Sequence, residues 1–135
     1  MREEGWQKLL REERVARLAT HSDQGRIHLV PVCYAYDGRD IFIGTSMDSK
    51  KVRNVKRNSS VAFVVDFYVE DWSKLKGVMI QGKAEVVEGG RVFEEAKKLL
   101  YEKYPQYEAS APIEEGESVI IKITPEKIVS WDYES

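Results

Sequence analysis

Between Val15 and Gly44 three strand-like runs follow one another with very little chain between them, and this crowding constrains the fold more than any other feature. Val15 to Thr20 reads as a first strand, Asp23-Gln24-Gly25 as a turn, Arg26 to Tyr36 as a second strand, and Asp37-Gly38 as a turn into a third at Asp40 to Gly44. Parallel neighbours need a long crossover connection, so runs joined this tightly are antiparallel. Pro31 lies inside the second run and cannot donate to a ladder. That strand is therefore an edge or is bulged there, and some of its backbone stays free for another partner.

The rest of the chain repeats the pattern. Ser60 to Val69 is rich in Val and Phe and reads as a buried strand; Lys76 to Glu88 reads as another, with Gly82 at a bulge and Glu70 to Leu75 a loop between the two. Ser118 to Thr124 and Lys127 to Tyr133 read as final strands separated by Pro125-Glu126. Trp6, Leu9 and Leu10 fall at helical spacing within Glu3 to Arg14, giving a short amphipathic helix suited to plug the end of a sheet. Val92, Phe93, Ala96, Leu99 and Leu100 repeat at the same spacing from Gly89-Gly90 until Pro105 stops the helix, and Gln106 to Glu117 is a polar loop. Small antiparallel strands in this number manage their edges best by closing. The expected fold is mainly β, a small antiparallel barrel; 135 residues with 42% hydrophobic content suit a single domain over 1–135.

Chemistry concentrates where Ile41-Phe42-Ile43 opens into Gly44-Thr45-Ser46-Met47-Asp48-Ser49 and then a helix beginning Lys50-Lys51. The first amides of a helix lack backbone partners and the helix dipole favours an anion there. Thr45, Ser46 and Ser49 add hydroxyls and Lys50 and Lys51 add charge, so the segment offers a phosphate a seat. The bland alternative is that Asp48 or Ser49 caps a surface helix whose solvated face is Lys50, Lys51, Arg53, Lys56 and Arg57.

Other classes are disfavoured. A formal net charge of -2 argues against a general nucleic-acid binder, and no aromatics interleave with the basic cluster from Lys50 to Arg57. No apolar run could span a bilayer, and the start Met1-Arg2-Glu3-Glu4 lacks a secretory core, so the expected location is cytoplasmic with no membrane partner. Cys33 is a lone cysteine, expected to be a small buried hydrophobe. His21 and His28 lack the companions a metal site or catalytic triad needs and read as ordinary polar strand positions. No catalytic side chain is assigned.

Taken in order, Arg14 to Thr20, His28-Leu29-Val30-Pro31-Val32, Ile41 to Lys51 with Asn54 and Asn58, and Met79 to Glu85 resemble the flavin-binding split-barrel family related to pyridoxamine 5'-phosphate oxidase. A narrower set, Val65-Asp66, Asp71-Trp72-Ser73, Leu75 and Lys103-Tyr104-Pro105-Gln106-Tyr107, is similar to a branch of that family using the deazaflavin coenzyme F420. The resemblance implies a split barrel, a homodimer with two cofactor sites at the interface, and FMN as the cofactor, with F420 as the alternative. The family's phosphate positions fall on Thr45, Ser46, Ser49, Lys50 and Lys51, and the backbone along which its ring lies falls on Val30, Pro31 and Val32. Gln81 falls where a strand residue faces the ring, from its own or the partner subunit, and Trp131 is a candidate to cover a flat ring.

The implied activity is a flavoprotein oxidoreductase passing hydride to or from a small organic substrate; FMN permits oxidase chemistry, whereas F420 implies a reductase. A different class of reading is a module that binds or stores flavin or haem without turnover. The chain ends Trp131-Asp132-Tyr133-Glu134-Ser135 where pyridoxamine phosphate oxidases carry Arg-Leu-X-Pro, so oxidation of pyridoxamine phosphate is not the expected reaction.

Overall fold

A computed structural model describes residues 3–133 and shows a seven-stranded antiparallel sheet whose two edge strands are consecutive in the chain. The strands are β1 (Ala16–His21), β2 (Ile27–Val32), β3 (Ala35–Tyr36), β4 (Ile41–Ser46), β5 (Ser60–Phe67), β6 (Lys76–Val87) and β7 (Ser118–Asp132), in the order β2-β1-β5-β6-β7-β4-β3. Only Cys33 and Tyr34 separate the two edges, so the sheet curls until they meet at that point. This is the expected small antiparallel barrel, and it is split. β3 pairs only with Ile41 and Phe42 of β4, β2 pairs only with β1, and beyond Tyr34 the free edges of β2 and β4 share no ladder.

Four local expectations are corrected. The run Arg26 to Tyr36 is two strands, because Tyr34 turns fully inward and donates its hydroxyl to the Leu10 carbonyl at 2.5 Å. Cys33, expected to be buried, is exposed at the same break. The two final strands are one. β7 passes through Pro125-Glu126 because Gln81 pairs with Lys127 and Gly82 with Pro125, leaving Glu126 as the extra residue of a bulge. A Cβ on Gly82 would lie 2.3 Å from the Thr124 carbonyl oxygen, which is why the bulge needs glycine. The expected loop after Pro105 contains a single helical turn, α4 (Tyr107–Ser110). Pro31 sits on an edge strand opposite Arg17, as its missing N–H requires.

Helices α1 (Gly5–Glu12) and α2 (Lys50–Arg57) contribute to the barrel interior, Leu9 and Leu10 from one and Val52 and Val55 from the other, packed with Leu18, Phe63 and Ile80. α1 starts at a capping box between Glu4 and Gln7. Helix α3 (Arg91–Lys103) packs instead against the outside of the barrel, where Phe93, Ala96 and Leu100 meet Phe42, Ile113 and Ile120 in a second core. Burial of one such side chain is worth about 1.5–3 kcal/mol, so both cores matter to stability. A different stretch of the outer face stays open: Pro31, Arg17, Val64, Met79 and Val129 form one row across five strands, and Leu29, Ala19, Ala62, Gln81 and Lys127 the next. Ile27 and Leu29 on that face are 63% and 64% exposed. Among the described residues no helix is long and apolar enough to cross a membrane.

Candidate functional site

The split widens toward the turn that joins β4 to α2, and the local hydrogen bonds there leave the helix start open. Ser49 occupies the N-cap position, but its side chain makes no capping bond; its hydroxyl instead accepts from Thr45 Oγ1 at 3.3 Å. Ser46 Oγ accepts from the Asp48 amide at 3.3 Å and the Ser46 carbonyl accepts from the Ser49 amide at 3.1 Å, tightening the turn. Asp48 does not cap the helix either, so the first-turn amides of α2 face outward with no side chain on them.

The basic residues of α2 divide into two groups. Lys56 pairs with Glu88 at 3.7 Å, Arg57 with Asp23 at 2.5 Å, and Arg53 donates to the Asp48 carbonyl at 2.6 Å. Lys50 and Lys51, by contrast, have no carboxylate or hydrogen-bond partner among the described residues. Lys51 is half-buried, and desolvation holds its ammonium below the ordinary lysine range. A solvated basic face predicts exposed or paired lysines, so it does not describe Lys51.

His28 lies beside these two lysines. It stands opposite Thr20 across β1 and β2, and Thr20 Oγ1 accepts from the buried Asn54 side chain of α2 at 3.0 Å. Asn54 follows Lys50 by four residues and Lys51 by three, so all three share one side of the helix. The His28 Nδ1 atom is buried and has no hydrogen-bond partner. Burial first, and then the positive charge of Lys50 and Lys51, hold the imidazole below its ordinary range. Open amides, two unpaired ammonium groups and an orphaned ring nitrogen together form a place that can receive an oxyanion. In sequence His28 reads as an ordinary polar strand position; the signal for it is a polar side chain at an inward position of a strand whose other inward residues are Val30 and Val32.

A second cationic feature adjoins the first. A cavity of about 360 Å³ between α2 and the Asp23–Gly25 turn gathers Arg26, Lys50, Arg53 and Arg57 around a single carboxylate, Asp23. Lys56 points elsewhere.

Val30, Pro31 and Val32 lie along the free edge of β2, on the wall of the split. Gln81 and Trp131 do not join them within one chain. In the strand order β6 and β7 stand three and four places from β2. Gln81 is on the open outer face, and the Trp131 indole lies over Gly77, where a Cβ would come within 2.3 Å of the ring.

The apex of the split is tied by the segment Lys103 to Tyr107. Tyr104 accepts from the Tyr34 amide at 3.2 Å and donates to the Arg14 carbonyl at 2.8 Å, while Lys103 Nζ sits 3.8 Å from the centre of the Tyr34 ring. This segment therefore braces the junction of β2 and β3.

An antiparallel barrel split between β2 and β4 defines the split-barrel fold. Residues 3–132 match the family described as Pyridoxamine 5'-phosphate oxidase, and the chain belongs to that family. It is 34% identical over 131 residues to a 5a,11a-dehydrotetracycline/5a,11a-dehydrooxytetracycline reductase of Streptomyces rimosus, covering 93% of this chain and 79% of that one. Among solved structures, a conserved hypothetical protein from Mycobacterium tuberculosis superposes with a TM-score of 0.81 at 26% identity, over 93% of this chain and 81% of that chain. A protein described as an F420 reductase has a TM-score of 0.73 at 21% identity, over 95% and 98% of the two chains, which shows the shared fold.

Proposed function

We propose that this protein is a flavin-dependent oxidoreductase that holds FMN by its phosphate at the mouth of the split and transfers hydride to or from a small organic substrate. One observation carries the assignment: the half-buried Lys51 and its neighbour Lys50 have no counter-ion, at an uncapped helix start beside the orphaned Nδ1 of His28. Unpaired positive charge in a partly dry site is costly unless an anion completes it. The ring, when bound, supplies the hydride chemistry. The chain supplies the rest. Lys50, Lys51, Thr45, Ser46 and Ser49 fix the phosphate, the β2 edge at Val30, Pro31 and Val32 offers backbone groups to the ring, and no protein acid or base is required.

The functional unit in this proposal is a homodimer formed through the open outer face. Its largely apolar rows give a reason for exposed Ile27 and Leu29, and a second chain is the means by which Gln81, on the outer face, could reach a ring bound in the partner's split, with Trp131 of β7 the other candidate.

F420 is the second candidate, and the cavity lined by Arg26, Lys50, Arg53 and Arg57 favours it, because it extends the positive charge beyond the seat toward a carboxylate-bearing tail. Its reductase chemistry also accords with the 34% identical tetracycline-series reductase. The experiment is to purify the protein from a host that makes both cofactors, record its visible spectrum, denature it and identify the released ligand by mass spectrometry. Binding of both ligands is then measured for the Lys50→Ala, Lys51→Ala double variant. Loss of affinity supports the seat; unchanged affinity, or a colourless protein that binds neither ligand on titration, refutes the function proposed.

A further inference from the structure

We propose that His28 is a third ligand of the anion held by Lys50 and Lys51, and that the anion enters its seat together with one proton taken up by His28. This rests on the phosphate seat proposed above and adds to it a residue and a proton.

The geometry leaves His28 little else to do. Its strand β2 is an edge, and its inner face at this position looks toward α2 through the pair Thr20 and Asn54, on the helix side that also carries Lys50 and Lys51. Thr20 already receives the Asn54 amide, and His28 Nδ1 is left buried with no partner. A buried polar atom without a partner is costly, so its persistence near two unpaired ammonium groups points to a ligand common to all three.

The charges around the ring explain the proton. The groups that act on it are Lys50 and Lys51 from α2, both positive; Thr20 faces it from β1 and is uncharged. Arg17 and His21 belong to the opposite face of β1, as the inward burial of Ala16, Leu18 and Thr20 shows. Asp23, the nearest acid of the adjoining turn, is engaged by Arg57. With the seat empty, a third positive charge is unfavourable and the imidazole stays neutral. A phosphate dianion cancels those two positive charges and sets an acceptor beside the ring. The ring then takes a proton from solvent, becomes a donor at both nitrogens and gives the anion, which can only accept, another charge-assisted bond. No covalent bond to phosphorus changes and no electrons move; the balance is imidazole plus a solvent proton giving imidazolium.

The test exploits the presence of just two histidines in the chain. The imidazole C–H signals of the full-length protein are followed by NMR from pH 5 to 9, with His21→Gln used to assign them, first alone and then with saturating FMN or F420. His21 is exposed and serves as the internal reference. The His28 midpoint is expected to rise by about one pH unit or more on binding while His21 stays in place. Calorimetry with FMN above pH 7, where its phosphate monoester is already dianionic, should show net proton uptake that His28→Gln abolishes. The dissociation constant should rise with pH, by up to about tenfold per unit between the free and bound midpoints. If ligand binds in a manner dependent on Lys50 and Lys51 while the His28 midpoint stays put and no proton is taken up, this inference falls and the seat stands. If neither ligand binds, both fall.

Discussion

Replacing Lys51 with methionine should move cofactor affinity and stability in opposite directions, and that divergence separates a binding lysine from a structural one. Methionine keeps an apolar stem of similar length, so the packing of the half-buried chain is largely retained while the charge is removed. Without a cofactor the wild-type ammonium is desolvated and unpaired, which lowers its pKa and burdens the folded state. Its removal should leave the cofactor-free protein as stable as wild type or more so, read as the urea midpoint at pH 7. Removal of one charge-assisted contact to phosphate costs about 1.5–3 kcal/mol of binding, so the FMN dissociation constant should rise roughly ten- to a hundredfold. The assay is quenching of flavin fluorescence at fixed salt, since screening weakens such contacts. An FMN affinity within about threefold of wild type, or a fall in the urea midpoint, would refute the reasoning that Lys51 waits for an anion.

Three other outcomes follow from the same coordinates. Burial first, then Arg14, pushes the Lys103 ammonium down to about 8. The unfolded chain therefore binds more protons than the folded one above that pH, and stability should rise from about pH 8 to 9.5 by on the order of 1–2 kcal/mol after solvent screening; urea titrations should show the rise in wild type and not in Lys103→Met. The window closes near pH 10, where unfolded tyrosines ionise while burial keeps Tyr104 and Tyr107 protonated, the latter with a pKa of about 12. Leu29→Asp, on the open face and 64% exposed, should leave the monomer folded but abolish dimerisation and cofactor retention together in sedimentation velocity with absorbance detection; a dimer that persists would remove the outer face as the interface. Gly82→Ala places a methyl 2.3 Å from the Thr124 carbonyl oxygen and should lower stability by about 1–3 kcal/mol in chemical denaturation, with no loss expected if the bulge can shift freely.

Most of the fold was legible because its signals are local. The strand run at β1, the Val- and Phe-rich run at β5, the turn residues before β2 and β4, and the helical spacing of Leu9, Leu10, Phe93, Ala96 and Leu100 all survive in the structure. The errors came where two distant segments decide the outcome. Pro125-Glu126 reads as a strand break until Gly82 opposite absorbs the extra residue, and Tyr34 reads as a strand position until Leu10 and Tyr104 claim its hydroxyl and amide. The anion seat was visible as residue types in order. What raised it above a capped surface helix was not visible: which α2 cations already have partners depends on Glu88, Asp23 and the Asp48 carbonyl, and a sequence does not say where those point.

The same partner ledger links fold to chemistry. α2 is attached to the barrel on one side by Val52, Val55 and the Asn54 to Thr20 bond, and on the other by the Arg57 to Asp23 pair. These contacts leave the two lysines and the open amides at the helix start free. The barrel is likewise braced at the apex of the split by Tyr34 and Tyr104, away from the turn at its mouth. Stability is thus drawn from contacts outside the seat, where Lys50, Lys51 and His28 Nδ1 stay without partners. A site arranged this way can hold uncompensated positive charge because the cores do not depend on it, and ligand binding then adds stability to the chain in proportion to the ligand's affinity. The thermal midpoint should therefore climb with FMN concentration in wild type and stay flat in Lys50→Ala, Lys51→Ala. A parallel climb in the double variant would place the anion somewhere else on the molecule.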